Sequence, residues 1–76
     1  MRTVKVGAYT IKSFPVRRND ARWSIEVTIF EARDGLIVMH PLRPKRSCLT
    51  EKHADRFGIH YARHIIDTKI LISGLP

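Results

Sequence analysis

Acidic side chains are scarce in this sequence. Seven Asp and Glu stand against fourteen Lys and Arg, a formal charge of +7 over 76 residues. Such a surplus directs attention to nucleic acids, acidic proteins and anionic surfaces as partners, without selecting among them. Cysteine is nearly absent. Cys48 stands alone, which rules out an internal disulfide framework and fits a reducing compartment. Long apolar runs are missing as well. None nears the roughly 18 residues of a membrane span, and residues 1–6 offer no apolar stretch of signal-peptide length. The expectation is a cytoplasmic protein with no membrane association.

The motifs of catalysis are equally thin. Glycine-rich phosphate loops and dinucleotide fingerprints are lacking, and the acids are dispersed rather than paired for acid–base work. A chain this short has one small core and little material for a deep cleft. Residues 1–76 therefore read as one small domain without enzymatic activity or cofactor. Internal repeats and low-complexity tracts are absent, and a hydrophobic fraction of 43% is that of a globular chain.

What is present is a legible order of elements. Residues 8–14 alternate, with Tyr9 and Ile11 on one face and Thr10 and Lys12 on the other, the period of a half-buried strand. Val4 and Val6 have the opposite parity, so Gly7 reads as a bulge where the register changes. Pro15 ends the strand, and residues 16–21 read as a connecting loop with Asn19 and Asp20 at its turn. A second strand follows, with Trp23, Ile25, Val27 and Ile29 on one face and Ser24, Glu26 and Thr28 on the other. Asp34-Gly35 is a hairpin signal, since a type I′ turn needs positive φ. Residues 36–40 form a third strand stopped by Pro41; either Ile37 and Met39 or Leu36 and Val38 face inward. Residues 41–47, with two prolines, form a stiff connector that holds Arg43, Lys45 and Arg46 in solvent.

Thr50 is a good N-cap for a helix of about seventeen residues, with Glu51 in its first turn and Leu49 placed as a hydrophobic staple. At about 100° per residue, Phe57, Tyr61, Ala54, Ile65, Gly58 and Ala62 fall in one arc, the expected buried face. Ala54, Gly58 and Ala62 make a ridge without bulk along it. Gly58 costs about 1 kcal/mol of helix propensity relative to Ala, which close approach to the sheet, against Trp23, would offset. The fold expectation is α+β: a three-stranded antiparallel sheet packed by one C-terminal helix, in the order β-β-β-α. Residues 69–73 have strand composition and could add a short terminal strand, pack beside the helix or pair with another copy.

His53, His60 and His64 share one edge of that helix. His60 and His64 have the spacing that lets two imidazoles reach one metal, but the zinc-protease pattern needs Glu where Tyr61 stands, and no further ligand pair exists. A solvated helix shoulder is the reading, with no metal. Cys48, just before the helix, could be activated by the helix dipole and Arg46, though a lone cysteine near a cap is more often inert. The candidate anion or nucleic-acid contacts are Arg17, Arg18 and Arg22 in the first loop and Arg43, Lys45 and Arg46 in the connector. One helix covers one sheet face and leaves the other bare, with Thr10, Lys12, Ser24, Glu26 and Thr28 on it and Phe14 and Phe30 near its ends. A base-stacking platform wants aromatics at the centre. The leading expectation is thus a small binding or regulatory module for an acidic protein or for itself as a homodimer. The alternative is a basic nucleic-acid-binding accessory protein.

Tyr9-Thr-Ile11, Trp23-x-Ile25-x-Val27-x-Ile29 and Leu49-Thr50 followed by Ala54, Gly58, Ala62 and Ile65-Ile66-Asp67 together resemble a group of short uncharacterised proteobacterial proteins, some of them prophage-associated. That resemblance runs from Tyr9 to Asp67 and implies an antiparallel sheet with a C-terminal helix. It brings no catalytic residue. The chain departs from the group in having Ile65 where a Trp is common.

Overall fold

A computed structural model describes residues 1–68. The expected residues 69–73 strand lies outside them. Seven strands and one helix follow in order: β1 (Arg2–Val6), β2 (Tyr9–Ser13), β3 (Val16–Arg17), β4 (Trp23–Ser24), β5 (Val27–Arg33), β6 (Leu36–Leu42), β7 (Ser47–Cys48) and α1 (Glu51–Asp67). The architecture is α+β and antiparallel with one C-terminal helix. In place of one three-stranded sheet there are two, ordered β1-β2-β5-β6 and β3-β4-β7.

Two features of the strand pairing account for the extra strands. Gly7 is not a bulge. It has φ +59 and opens a two-residue turn, so β1 folds back on β2 with Val6 opposite Tyr9. A glycine at the first turn position is what a type II′ hairpin needs. The parity change at Gly7 is therefore a reversal of direction.

The second feature is a bend. The strand expected over Trp23 to Ile29 is divided: β4 pairs with β3 and β7, whereas β5 pairs with β2 and β6. Paired residue numbers nevertheless add to 40 both in β2–β5 (Tyr9 with Glu31) and in β3–β4 (Val16 with Ser24). The two sheets thus share one long hairpin, bent where Pro15, which has no N–H to give, lies opposite Ile25. Phe14 N–H still donates to Glu26 C=O at 2.9 Å on the near side of the bend. Along the third strand the pairing slips by two residues across the Arg43-to-Arg46 segment. Alternation alone could not show this, because Trp23, Ile25, Val27 and Ile29 keep their parity through the bend.

Asp34 and Gly35 have φ 50 and 77, as a type I′ turn requires. Pro41 does not stop β6. It sits inside the strand opposite Thr28, and β6 is an edge among the described residues, where a missing donor costs little. The inward parity of β6 is Val38, His40 and Leu42, while Leu36, Ile37 and Met39 are exposed.

Thr50 caps α1, its side chain accepting from the His53 N–H at 3.1 Å. Leu49 is 71% exposed and forms no staple. The buried face of α1 is Ala54, Asp55, Gly58, Ile59, Ala62 and Ile65, rotated from the expected arc toward Asp55 and Ile59. Phe57 and Tyr61 lie half-buried on its flank, stacked with centroids 6.4 Å apart. The core is Ile11, Val27, Ile29, Ile59, Ala62 and Ile65, each large aliphatic contributing about 1.5–3 kcal/mol by burial. Gly58 does lie against the sheet, but not on Trp23. A Cβ there would meet Ile25 Cγ2 and Ser13 Oγ at 3.3 Å and Val27 Cβ at 3.6 Å. Ser13 in turn donates to Asp55 Oδ1 at 2.7 Å, a buried bond that fixes the helix in height on the sheet. Asp55 Oδ2 also receives the Met1 ammonium at 3.2 Å.

Candidate functional site

The six basic candidates differ in their partners. Arg22 is structural: its Nε donates to Ser47 Oγ at 2.6 Å and its Nη2 to Ser47 C=O at 3.0 Å, tying the β3–β4 loop to β7. That contact does bring the first basic loop beside the second. Arg18 pairs with Asp20 at 3.2 Å and Arg43 with Glu26 at 3.3 Å. Arg46 lies 4.9 Å over the Phe57 ring, a cation–π contact. Of the six, Arg17, Lys45 and Arg46 are exposed and have no ion pair among the described residues. Arg17, Arg18, Asn19 and Asp20 line a depression of about 470 Å³, where the Arg18–Asp20 pair leaves Arg17 as the one unmatched charge. The six residues therefore do not form one free anion-binding cluster.

The other face of the larger sheet is more coherent. Hydrogen-bond register places Thr3, Lys12, Thr28 and Pro41 in one row across it, and Lys5, Thr10, Phe30 and Met39 in the next. Ala32 and Ile37 make a third. Phe14 stands at the end of the face beside Glu26. No described helix lies on these rows, since α1 buries its apolar face against Ile11, Val27 and Ile29 on the opposite side. Phe30, expected near the end of its strand, is in the middle of β5, because that strand runs on to Arg33. Lys12 Nζ sits 5.3 Å from the Phe30 centroid. The face thus carries a central aromatic ring, two lysines on the β1–β2 side and Met39 and Ile37 on the other. Its single acid, Glu26, is held by Arg43.

A second cluster was not anticipated. On the inner side of the sheet, beyond the helix contacts, Glu31 Oε1 accepts from His40 Nε2 at 3.1 Å and from Arg33 Nη2 at 2.8 Å, while Oε2 accepts from Arg33 Nε at 3.3 Å. Glu31 and His40 are buried. The His40 hydrogen bond, helped by Arg33, holds the Glu31 carboxyl below the ordinary glutamate range against the opposing effect of burial. The period of β6 could have shown His40 facing inward had the neighbouring apolar run not masked it. Each side chain in the cluster is partnered, so it closes the core edge rather than forming an open site.

His53, His60 and His64 are all exposed on α1. Among the described residues no group of three His, Cys, Asp or Glu is placed to hold a metal ion. Cys48 is half-buried in β7 opposite Trp23. No described helix is long and apolar enough to cross a membrane. No family model matches this chain, and neither a curated protein nor a solved structure matches it significantly.

Proposed function

We propose that this protein is a non-enzymatic binding module that takes single-stranded nucleic acid on the open face of its larger sheet. The observation that carries this reading is Phe30, central on the face, with Lys12 over its ring. Base stacking on an aromatic is sequence-tolerant, and lysines beside it neutralise the phosphates. An exposed cation–π contact is worth only about 0.5–1 kcal/mol, so an incoming base can displace Lys12 toward a phosphate. A charge of +7 adds long-range attraction. An acidic protein partner would satisfy the charge but makes no special use of a ring at the centre. A second copy of the chain is a separate partner, favoured by a separate observation, the exposed apolar rim of β6.

The test is fluorescence anisotropy with short labelled DNA and RNA homopolymers across a salt series. Binding should weaken steeply with salt, and Phe30→Ala should raise Kd about tenfold or more. Lys5→Gln with Lys12→Gln should flatten the salt slope by about 0.7 for each phosphate no longer neutralised. Unaltered binding in Phe30→Ala, or no binding at low salt, would overturn the reading.

A further inference from the structure

The rim of β6 has properties that the other sheet edge lacks. β1, the opposite edge, carries Arg2 and Lys5, the charged protection usual for an unpaired strand. β6 has no Lys, Arg, Asp or Glu from Leu36 to Leu42, and its one ionisable group, His40, is turned inward onto Glu31. Leu36, Ile37 and Met39 are 69%, 66% and 60% exposed.

Backbone polarity adds direction to this rim. The two-residue Asp34-Gly35 turn makes Arg33 and Leu36 a hydrogen-bonded pair. Antiparallel alternation then turns the polar groups of residues 36, 38, 40 and 42 toward β5 and those of 37, 39 and 41 outward. Ala32 N–H reaches Ala8 C=O at 3.4 Å, on the β2 side, which agrees with that phase. Ile37 and Met39 therefore each present an N–H and a C=O, and Pro41 a C=O alone, with no partner among the described residues.

We propose that two copies of this chain pair antiparallel along β6, Ile37 of one copy opposite Met39 of the other. This rests on the self-association reading above and specifies its geometry. The occupant is a second copy because chains of charge +7 repel each other over most surfaces, and β6 is an uncharged strip whose antiparallel edge is complementary to itself under a two-fold axis. The register follows from Pro41. Placing Ile37 opposite Met39 sets Pro41 against Gly35, at the margin, so both inner pairs exchange full sets of bonds. A register centred on Met39 would instead place Ile37 against the missing Pro41 donor. The assembly is a continuous sheet in which Phe30, beside Met39 in each copy, lies on one shared open face.

In this register Val38 meets its own counterpart across the axis as a non-hydrogen-bonded pair, with Cα atoms about 4.5 Å apart, inside disulfide reach. Sedimentation equilibrium of the full chain should show a concentration-dependent mass rising to twice the monomer. Val38→Cys in a Cys48→Ser background should oxidise to a covalent dimer, and Lys5→Cys in the same background should not. Ile37→Lys with Met39→Lys sets like charges face to face and should restore the monomer with its far-UV spectrum intact. A chain that stays monomeric at every concentration would overturn this pairing and the self-association reading together. A dimer that survives the double lysine variant, or that links through position 5 and not 38, would overturn the β6 pairing alone.

Discussion

The two faces of the larger sheet are built from the same strands and differ in how their side chains are matched. On the inner face Ile11 and Ile29 are completely buried, and no buried side-chain nitrogen or oxygen among the described residues lacks a hydrogen-bond partner. Ser13 has Asp55, and Glu31 has His40 and Arg33. On the outer face Phe30, Met39 and Ile37 are left partly or largely in solvent beside Lys5 and Lys12. Apolar content alone does not separate the faces. What separates them is complementarity: the inner surface has a helix cut to fit at Gly58, and the outer surface retains apolar and cationic groups that a ligand could use.

That contrast can be broken most strongly at Gly58. Gly58→Val forces methyl groups into Ile25, Ser13 and Val27 and should cost about 3 kcal/mol. Gly58→Ala should cost less, since about 1 kcal/mol of helix propensity returns. Urea melts of both variants measure the difference, and a stabilised Gly58→Val would contradict the close contact. Removing Asp55 comes next. Asp55→Ala leaves the Ser13 hydroxyl buried without its acceptor and should cost about 2 kcal/mol in the same melts.

Glu31 sharpens the comparison through pH. Its folded carboxyl titrates below the ordinary value, so its contribution is present above the unfolded pKa and is lost as pH falls through the folded one. Glu31→Gln should therefore flatten the acid limb of Tm against pH, read by circular dichroism, with the gap from the parent chain closing at low pH. The smallest stability effect belongs to the outer face. Phe30→Ala should shift stability by only about 1 kcal/mol while removing the proposed stacking platform, so binding and melting separate there and nowhere on the inner face.

Much of the inner face was legible from residue order. Thr50 as cap, the Ala54-Gly58-Ala62 ridge and the Asp34-Gly35 turn depend on local chemistry, and local chemistry is written residue by residue. Leu49, 71% exposed, forms no staple. Phe57 and Tyr61 proved marginal because the helix turns Asp55 and Ile59 to the sheet, where Asp55 meets Ser13, a contact between residues 42 positions apart. The basic candidates were legible as charges but not as partners: Arg22 is tied to Ser47 by two hydrogen bonds, and Arg46 lies over Phe57, across distances that sequence spacing does not report.

By itself, then, the amino-acid sequence determined the α+β class, the helix limits, the tight β5–β6 turn and the excess of positive charge, because each follows from propensity, φ preference or counting. Tertiary structure alone decided that Gly7 reverses the chain, that Pro15 bends one hairpin into two sheets, that Glu31 and His40 meet, and that Phe30 stands half-buried at the centre of the sheet face away from α1. Those outcomes depend on which strand lies beside which. Pairing partners are chosen by the whole packed core, where a period of two reads the same on either side of a bend.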